Sequence, residues 1–153
     1  MESAPEIYSQ SLTSEEKTFA LFSHLSVVIG GIILPIIFWA LQKDKSKFVR
    51  FHALQSIFYH IAVGVIIAIL VILLAIGILF TVLITGVSIS HDNNPTGPIA
   101  FGFFMLLFYI GLFVILIANV GYGIYLAVKA YEGNLVKIPV IGNIIYKKVY
   151  GNQ

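Results

Sequence analysis

Cysteine is absent from this 153-residue chain, and only 10% of its residues are charged, against about 25% in soluble domains. Without cysteine the chain can form no disulfide and no thiolate metal site, and its redox compartment cannot be read. The low charge accompanies 59% hydrophobic residues and a mean hydropathy of +0.97. This composition is typical of an integral membrane protein.

Three long apolar runs, Phe19–Leu41, Leu54–Val87 and Ile99–Val128, contain almost no charge. Each exceeds the roughly 20 residues that a helix needs to cross the hydrocarbon. The sequence therefore predicts an all-α bundle with three transmembrane helices in one membrane domain, residues 19–131. The second run would be about 50 Å long, and a hairpin broken near Gly77 is its alternative. The lack of polar turn residues there favours one helix.

Polar segments flank this predicted domain. Residues 1–18 are acidic and unlike a signal peptide, which opens with basic residues. After the third run, Gly133-Asn134 is expected to end the helix and Pro139 to open another. Residues 132–153 then form a tail in which one helical face carries Val140, Ile141, Ile144, Ile145 and Val149. Because Asn143, Lys147 and Lys148 fall on another face, we expect an interfacial helix; a short mobile tail is the alternative.

Lysine and arginine predict the orientation. Of nine such residues, four lie between the first two runs (Lys43, Lys45, Lys47 and Arg50) and four follow the third (Lys129, Lys137, Lys147 and Lys148). Cytoplasmic loops retain these residues. With three crossings, the N-terminus would be outside, the 88–98 connection outside and the C-terminus in the cytoplasm.

The connector between the first two runs is the most distinctive segment. Ser46 can cap a new helix, and Phe48, Val49 and Phe51 can insert into lipid while the cations snorkel to anionic headgroups. We expect anionic lipid to contact five side chains: Lys43, Lys45, Lys47, Arg50 and His52. The alternative is a topology signal that only anchors the loop.

The connector also belongs to an ordered series of short motifs. The series comprises Glu15-Glu16-Lys17, His24-Leu25-Ser26, Ile33-Leu34-Pro35 with Trp39, the connector itself through Gln55, Tyr122-Gly123, Lys129-Ala130, and Gly133 before Pro139. It resembles an uncharacterised family of small prokaryotic membrane proteins, distantly similar to the small subunit of the Tic-type chloroplast import translocon. The resemblance implies a compact helical membrane domain that works in a larger assembly.

Polar side chains inside the apolar runs are candidates for an intramembrane network. His24, His60 and Asn119 are costly at membrane depth and are expected to face the bundle interior, and Pro35 is expected to kink the first helix. We hypothesise that His60 and Asn119 form a hydrogen bond between helices. Such a network fixes packing; a proton relay or substrate site is the alternative.

The sequence favours no enzyme: it has no Ser/His/Asp set, phosphate loop or carboxylate pair in a plausible site. We expect no cofactor, no metal site and no nucleic-acid binding. The favoured function is an interaction or assembly subunit of the cytoplasmic membrane, as a homo-oligomer or with a membrane-protein partner. An oligomeric transporter or channel for ions or small solutes, or a distant protein-translocation component, is the alternative.

Overall fold

The computed structural model describes residues 12–29, 31–89 and 96–151. Within them the chain forms five α-helices and no strand: α1 (Ser14–Ile29), α2 (Ile33–Gln42), α3 (Lys47–Ile89), α4 (Thr96–Tyr131) and α5 (Ile141–Tyr150). The predicted all-α class is confirmed.

Two segments of these helices are long and apolar enough to cross a membrane, Lys47–Leu83 and Ile99–Tyr131. They correspond to the second and third apolar runs. Helix α3 continues through Gly77 without a break, so the prediction of one long helix is confirmed and the hairpin alternative is wrong. A third crossing, expected from the first run, is not among these segments.

The first run, Phe19–Leu41, forms a helical hairpin instead of the single helix that we predicted. Gly31 has a φ of +53°, which glycine adopts readily, and its N–H donates to the Ser26 carbonyl at 2.6 Å. The chain then reverses. The rings of Phe19 and Phe38 lie 5.2 Å apart between centroids, whereas one straight helix would separate these residues by about 28 Å.

Pro35 is also placed differently from the prediction. We expected it to kink a continuous helix, but it lies in the first turn of α2, which begins at Ile33. Proline is tolerated in a first turn, because the backbone N–H groups there have no partner inside the helix. The buried Pro35 ring therefore leaves α2 intact.

The chain divides into two compact units, residues 1–63 with 119–153 and residues 64–118. In the first unit α1, α3, α4 and α5 share a hydrophobic core: Ala20, Phe48, Phe51, Leu54, Ala130, Leu135, Ile145 and Val149. In the second unit, apolar side chains such as Ile76 and Phe113 are mostly exposed. Such exposure suits contact with lipid.

Local residues explain where three helices begin or end. Thr13 and Glu16 form a capping box before α1: Thr13 N–H donates to Glu16 Oε2 at 2.9 Å, and Glu16 N–H donates to Thr13 Oγ1 at 3.2 Å. Ser46 Oγ accepts from Val49 N–H at 3.3 Å, so the predicted cap of α3 is confirmed. Helix α4 ends at Tyr131, just before the predicted break at Gly133. Gly133 has a φ of +89°, and Asn134 N–H donates to the Lys129 carbonyl.

Candidate interaction site

A layer of buried polar side chains joins α1 to the beginning of α3 within the first unit. Six polar side chains are almost fully buried there: Ser23, His24 and Ser26 from α1, and His52, Gln55 and Ser56 from α3. We call these six residues the polar layer. Buried polar groups are costly unless they are hydrogen-bonded, so their partners decide what the layer can do.

Two histidines of the layer pair directly. His24 Nε2 and His52 Nδ1 lie 3.0 Å apart, so one of the two nitrogens carries the proton and donates it. The ring of Phe48 packs edge-on against His52 at 4.6 Å between centroids, and that of Phe51 packs at 5.1 Å. Our expectation that His52 contacts lipid headgroups is wrong. His52 lies one helical turn after Phe48 on α3, so the two side chains share the buried face of the helix.

The serines of the layer bond to backbone carbonyls. Ser26 Oγ donates to the Ser23 carbonyl at 2.7 Å, and Ser56 Oγ donates to the same carbonyl. The Ser23 carbonyl, which accepts from both hydroxyls, therefore joins α3 to α1 at one point. His60 continues the layer along α3, with its Nδ1 at 2.8 Å from the Ser56 carbonyl.

The hydrogen bond that we predicted between His60 and Asn119 does not form. Asn119 Oδ1 accepts instead from the Tyr59 hydroxyl at 2.5 Å, and the Tyr59 ring lies 5.9 Å from that of Tyr122. Neighbouring residues of a helix point about 100° apart. Tyr59 therefore faces α4, while His60 is turned toward the serines of the polar layer.

Gln55 attaches the segment between α4 and α5 to α3. Its Nε2 donates to the Val136 carbonyl at 2.9 Å, and its Oε1 accepts from Ile138 N–H at 2.7 Å. The side-chain amide thus satisfies one backbone acceptor and one backbone donor. Because Gln55 is fully buried, these two bonds replace the water that both partners would otherwise need.

Two glycines permit close contacts in the first unit. A Cβ at Gly123 of α4 would overlap Val27 Cγ1 and lie 3.4 Å from the His24 carbonyl. A Cβ at Gly142 of α5 would lie 2.6 Å from Lys137 Cα and 2.7 Å from Gln55 Oε1. Helix α1 therefore contacts the backbone of α4 directly, and α5 contacts the backbone of the segment that precedes it.

The basic connector has an apolar side that faces the protein. Phe48, Val49 and Phe51 lie in the core, so our expectation that they insert into lipid is wrong; they follow the same buried face of α3 as His52. Lys43, Lys45 and Lys47 remain exposed, with the Lys43 Nζ 5.9 Å from the centroid of the Trp39 ring. Arg50 is half-buried.

Helix α5 also differs in part from the prediction. Ile145 and Val149 of the expected apolar face are buried, but Val140 and Ile144 are exposed. Lys147 and Lys148 are exposed beside them. The core of the first unit therefore takes up one half of the predicted face and leaves the other half on the surface.

Comparison with known proteins gives one family. A model described as the magnetosome magnetite crystal formation protein family, MamF/MmsF, matches residues 15–145. The chain belongs to the MamF/MmsF family. No curated protein and no solved structure matches it, and the resemblance to the Tic-type translocon finds no support in these comparisons.

This MamF/MmsF-family chain is a small, helical, membrane-associated protein. In residues 12–29, 31–89 and 96–151, no group of three or more His, Asp or Glu side chains is arranged to hold a metal ion. The residues that the family model covers include all six of the polar layer.

Sequence reasoning found His24 and His52 but missed their pairing, and it missed Ser23, Gln55 and Tyr59. One signal was present in the sequence. On α3, Gln55 and Ser56 follow His52 by three and four residues, and His60 follows Ser56 by four, which places these side chains on one helix face. A polar stripe of this kind at the start of an apolar helix indicates a buried partner, here α1 of the MamF/MmsF-family chain.

Proposed function

We propose that the chain is an assembly subunit of a membrane complex. The process in which this complex takes part is the formation of magnetite crystals, which the description of the family names. The observation that carries this proposal is the construction of the first unit. Its helices are joined by buried polar contacts to one another, while lysines of the connector and of α5 stay exposed. A preorganised unit of this kind loses little conformational freedom when a partner binds.

The polar contacts favour assembly over transport. Ser56 bonds to the Ser23 carbonyl between α3 and α1, and Asn119 bonds to Tyr59 between α4 and α3, which is the behaviour expected of side chains that fix helix packing. The proposal assigns the chain no enzymatic activity and no cofactor. Its partner is a membrane protein or a second copy, and anionic headgroups contact Lys43, Lys45 and Lys47.

The hairpin changes the topology that we propose. Because α1 and α2 reverse direction, the residues before α1 and the connector lie on one side of the membrane. Val27 packs against Gly123, about 12 Å along α4 from Tyr131, so the hairpin enters one leaflet without crossing. With α3 and α4 as the two crossings, both termini lie on the side of the lysines, which is the cytoplasmic side.

The experiment that tests the assembly function is native mass measurement. The chain is extracted from its own membranes into lipid nanodiscs, and the mass and composition of the complex are determined. A second protein or a second copy of the chain in fixed stoichiometry supports the proposal. A monomer that acquires no partner, or an assembly that conducts solute in a liposome flux assay, would contradict it.

A further inference from the structure

The outer side of α5 combines exposed apolar and basic side chains. Val140, which directly precedes α5, is 77% exposed, and Ile144 in the first turn of α5 is 63% exposed. Lys147 and Lys148 follow Ile144 by three and four residues. We call Val140, Ile144, Lys147 and Lys148 the outer face of α5.

The opposite side of α5 is fixed to the protein. Ile145 and Val149 lie in the core of the first unit, and Gly142 is in close contact with Lys137 and Gln55. Rotation of α5 about its axis would break these contacts. The outer face is therefore held outward by packing on the other side of the same helix.

Val140 has an unusual backbone conformation that adds to this constraint. Its φ is 64° and its ψ is −59°, and Ile141 N–H donates to the Pro139 carbonyl at 2.7 Å. This is a γ-turn of the strained type, and a positive φ is rare for a β-branched residue. The chain is held on both sides of it, because Ile138 bonds to Gln55 and Gly142 N–H donates to the Ile138 carbonyl at 2.7 Å. The turn presents an apolar side chain that no described residue covers.

The position and charge of this face identify what can cover it. The first unit contains the Lys47 end of α3 and the Tyr131 end of α4, which are ends of the two candidate spans, where headgroups meet hydrocarbon. Exposed apolar side chains with lysines beside them suit insertion at that boundary: Val140 and Ile144 enter the acyl region, while the lysines extend to phosphate groups. Two positive charges without a nearby carboxylate on the helix favour an anionic surface.

We propose that the outer face of α5 inserts into the anionic leaflet of the membrane that α3 and α4 span. The partner is a phospholipid surface, and insertion requires no second protein. The inference therefore goes beyond the proposed function, and a failure of either leaves the other untouched.

The experiment uses the absence of cysteine from the chain. The full-length variant I144C is labelled with the environment-sensitive dye NBD and reconstituted into vesicles of phosphatidylcholine, alone or in equal parts with phosphatidylglycerol. Lipids with a spin label on the acyl chain then quench dye that is in the hydrocarbon. I76C in the second unit is the lipid-exposed control, and E15C at the start of α1 is the control for an exposed polar position.

We expect NBD at position 144 to be quenched in the anionic vesicles, with shallow spin labels more effective than deep ones. The additional changes K147Q and K148Q should each lower the ratio of inserted to free helix by about fivefold. Position 76 should be quenched equally in every variant, which shows that the chain is inserted.

Two results would overturn the proposal. One is an unquenched dye at position 144 while position 76 is quenched. The other is protection of position 144 that rises with the protein-to-lipid ratio and is insensitive to spin-labelled lipid, because a second copy of the chain would then cover the face.

Discussion

Gln55 Oε1 accepts a hydrogen bond from Ile138 N–H at 2.7 Å, across 83 positions of the sequence. With the bond from Gln55 Nε2 to the Val136 carbonyl, this contact ties the segment before α5 to α3. It closes the first unit around its core, and it positions α5. Several of the properties proposed above depend on this one buried amide.

Replacing Gln55 by leucine should destabilise the first unit strongly. Leucine leaves the Ile138 N–H and the Val136 carbonyl without partners, at about 1–3 kcal/mol for each buried group. Thermal unfolding in nanodiscs should show a clear fall in Tm for Q55L. Q42L, at the partly exposed end of α2, is the control and should change Tm little. Equal Tm values for the two variants would mean that the amide contributes nothing.

Alanine at Gly123 should loosen the contact between α1 and α4. Its Cβ would overlap Val27, and overpacking of this kind costs about 1–3 kcal/mol. Alanine at Gly121, where a Cβ meets nothing within 4 Å, should be neutral or stabilising, because alanine favours the helix by up to about 1 kcal/mol. Steric-trapping measurements of unfolding free energy would compare the two. Loss of stability in G121A and not in G123A would show that α1 packs elsewhere.

Tyr59 and Asn119 should be energetically coupled, and His60 and Asn119 should not. A hydrogen bond between membrane helices contributes about 0.6 kcal/mol on average and up to about 1.7 kcal/mol. A double-mutant cycle of Y59F and N119L should give a coupling energy in that range. The matched cycle of H60L and N119L should give a value near zero. The reverse pattern would restore the hydrogen bond that the sequence suggested.

Residues before α1 should be accessible from the same side of the membrane as the connector. Single cysteines at Glu15, Lys45 and Lys148 should react together with a membrane-impermeant maleimide in inverted vesicles, because the hairpin reverses the chain. A cysteine at Asn93, between α3 and α4, should react only in vesicles of the opposite orientation. Labelling of Glu15 from the side of Asn93 would establish three crossings and exclude the hairpin.

The capping box should make α1 weakly sensitive to acid. Partial burial acts to raise the pKa of Glu16, but hydrogen bonds from Ser46 and Thr13 outweigh it, so the pKa lies below its ordinary value of 4.5. A lowered pKa in the folded state gives stability that is complete above the ordinary value and is lost as the pH falls through the folded one.

E16A should therefore lower the free energy of unfolding near neutral pH by the value of a cap, on the order of 1 kcal/mol, with a matching fall in Tm. In acid, the difference from the parent protein should be smaller. E15A is the control at the neighbouring exposed position. A difference between E16A and the parent that grows as the pH falls would contradict the assigned sign.

Several features followed from residues that act locally. The long apolar runs 54–87 and 99–128 predicted α3 and α4, because lipid accepts a backbone only when its polar groups are bonded internally. Ser46 and Gly133 predicted helix ends for equally local reasons: a side-chain oxygen beside free N–H groups, and a residue without Cβ at positive φ. Length and hydropathy could not distinguish a crossing from a hairpin at Phe19–Leu41, although Gly31 marked the turn.

What the sequence alone determined is the solvent of each segment, since the preference for lipid or water depends on the side chains along the chain. The tertiary structure decided the partner of each polar group, since a hydrogen bond depends on distances between residues far apart in sequence. It paired His24 with His52, hydrogen-bonded Asn119 to Tyr59, and bonded Gln55 to the backbone before α5. The tertiary structure also buried Ile145 and Val149 of the predicted apolar face. It left Val140 and Ile144 exposed, and these are the side chains proposed to enter the membrane.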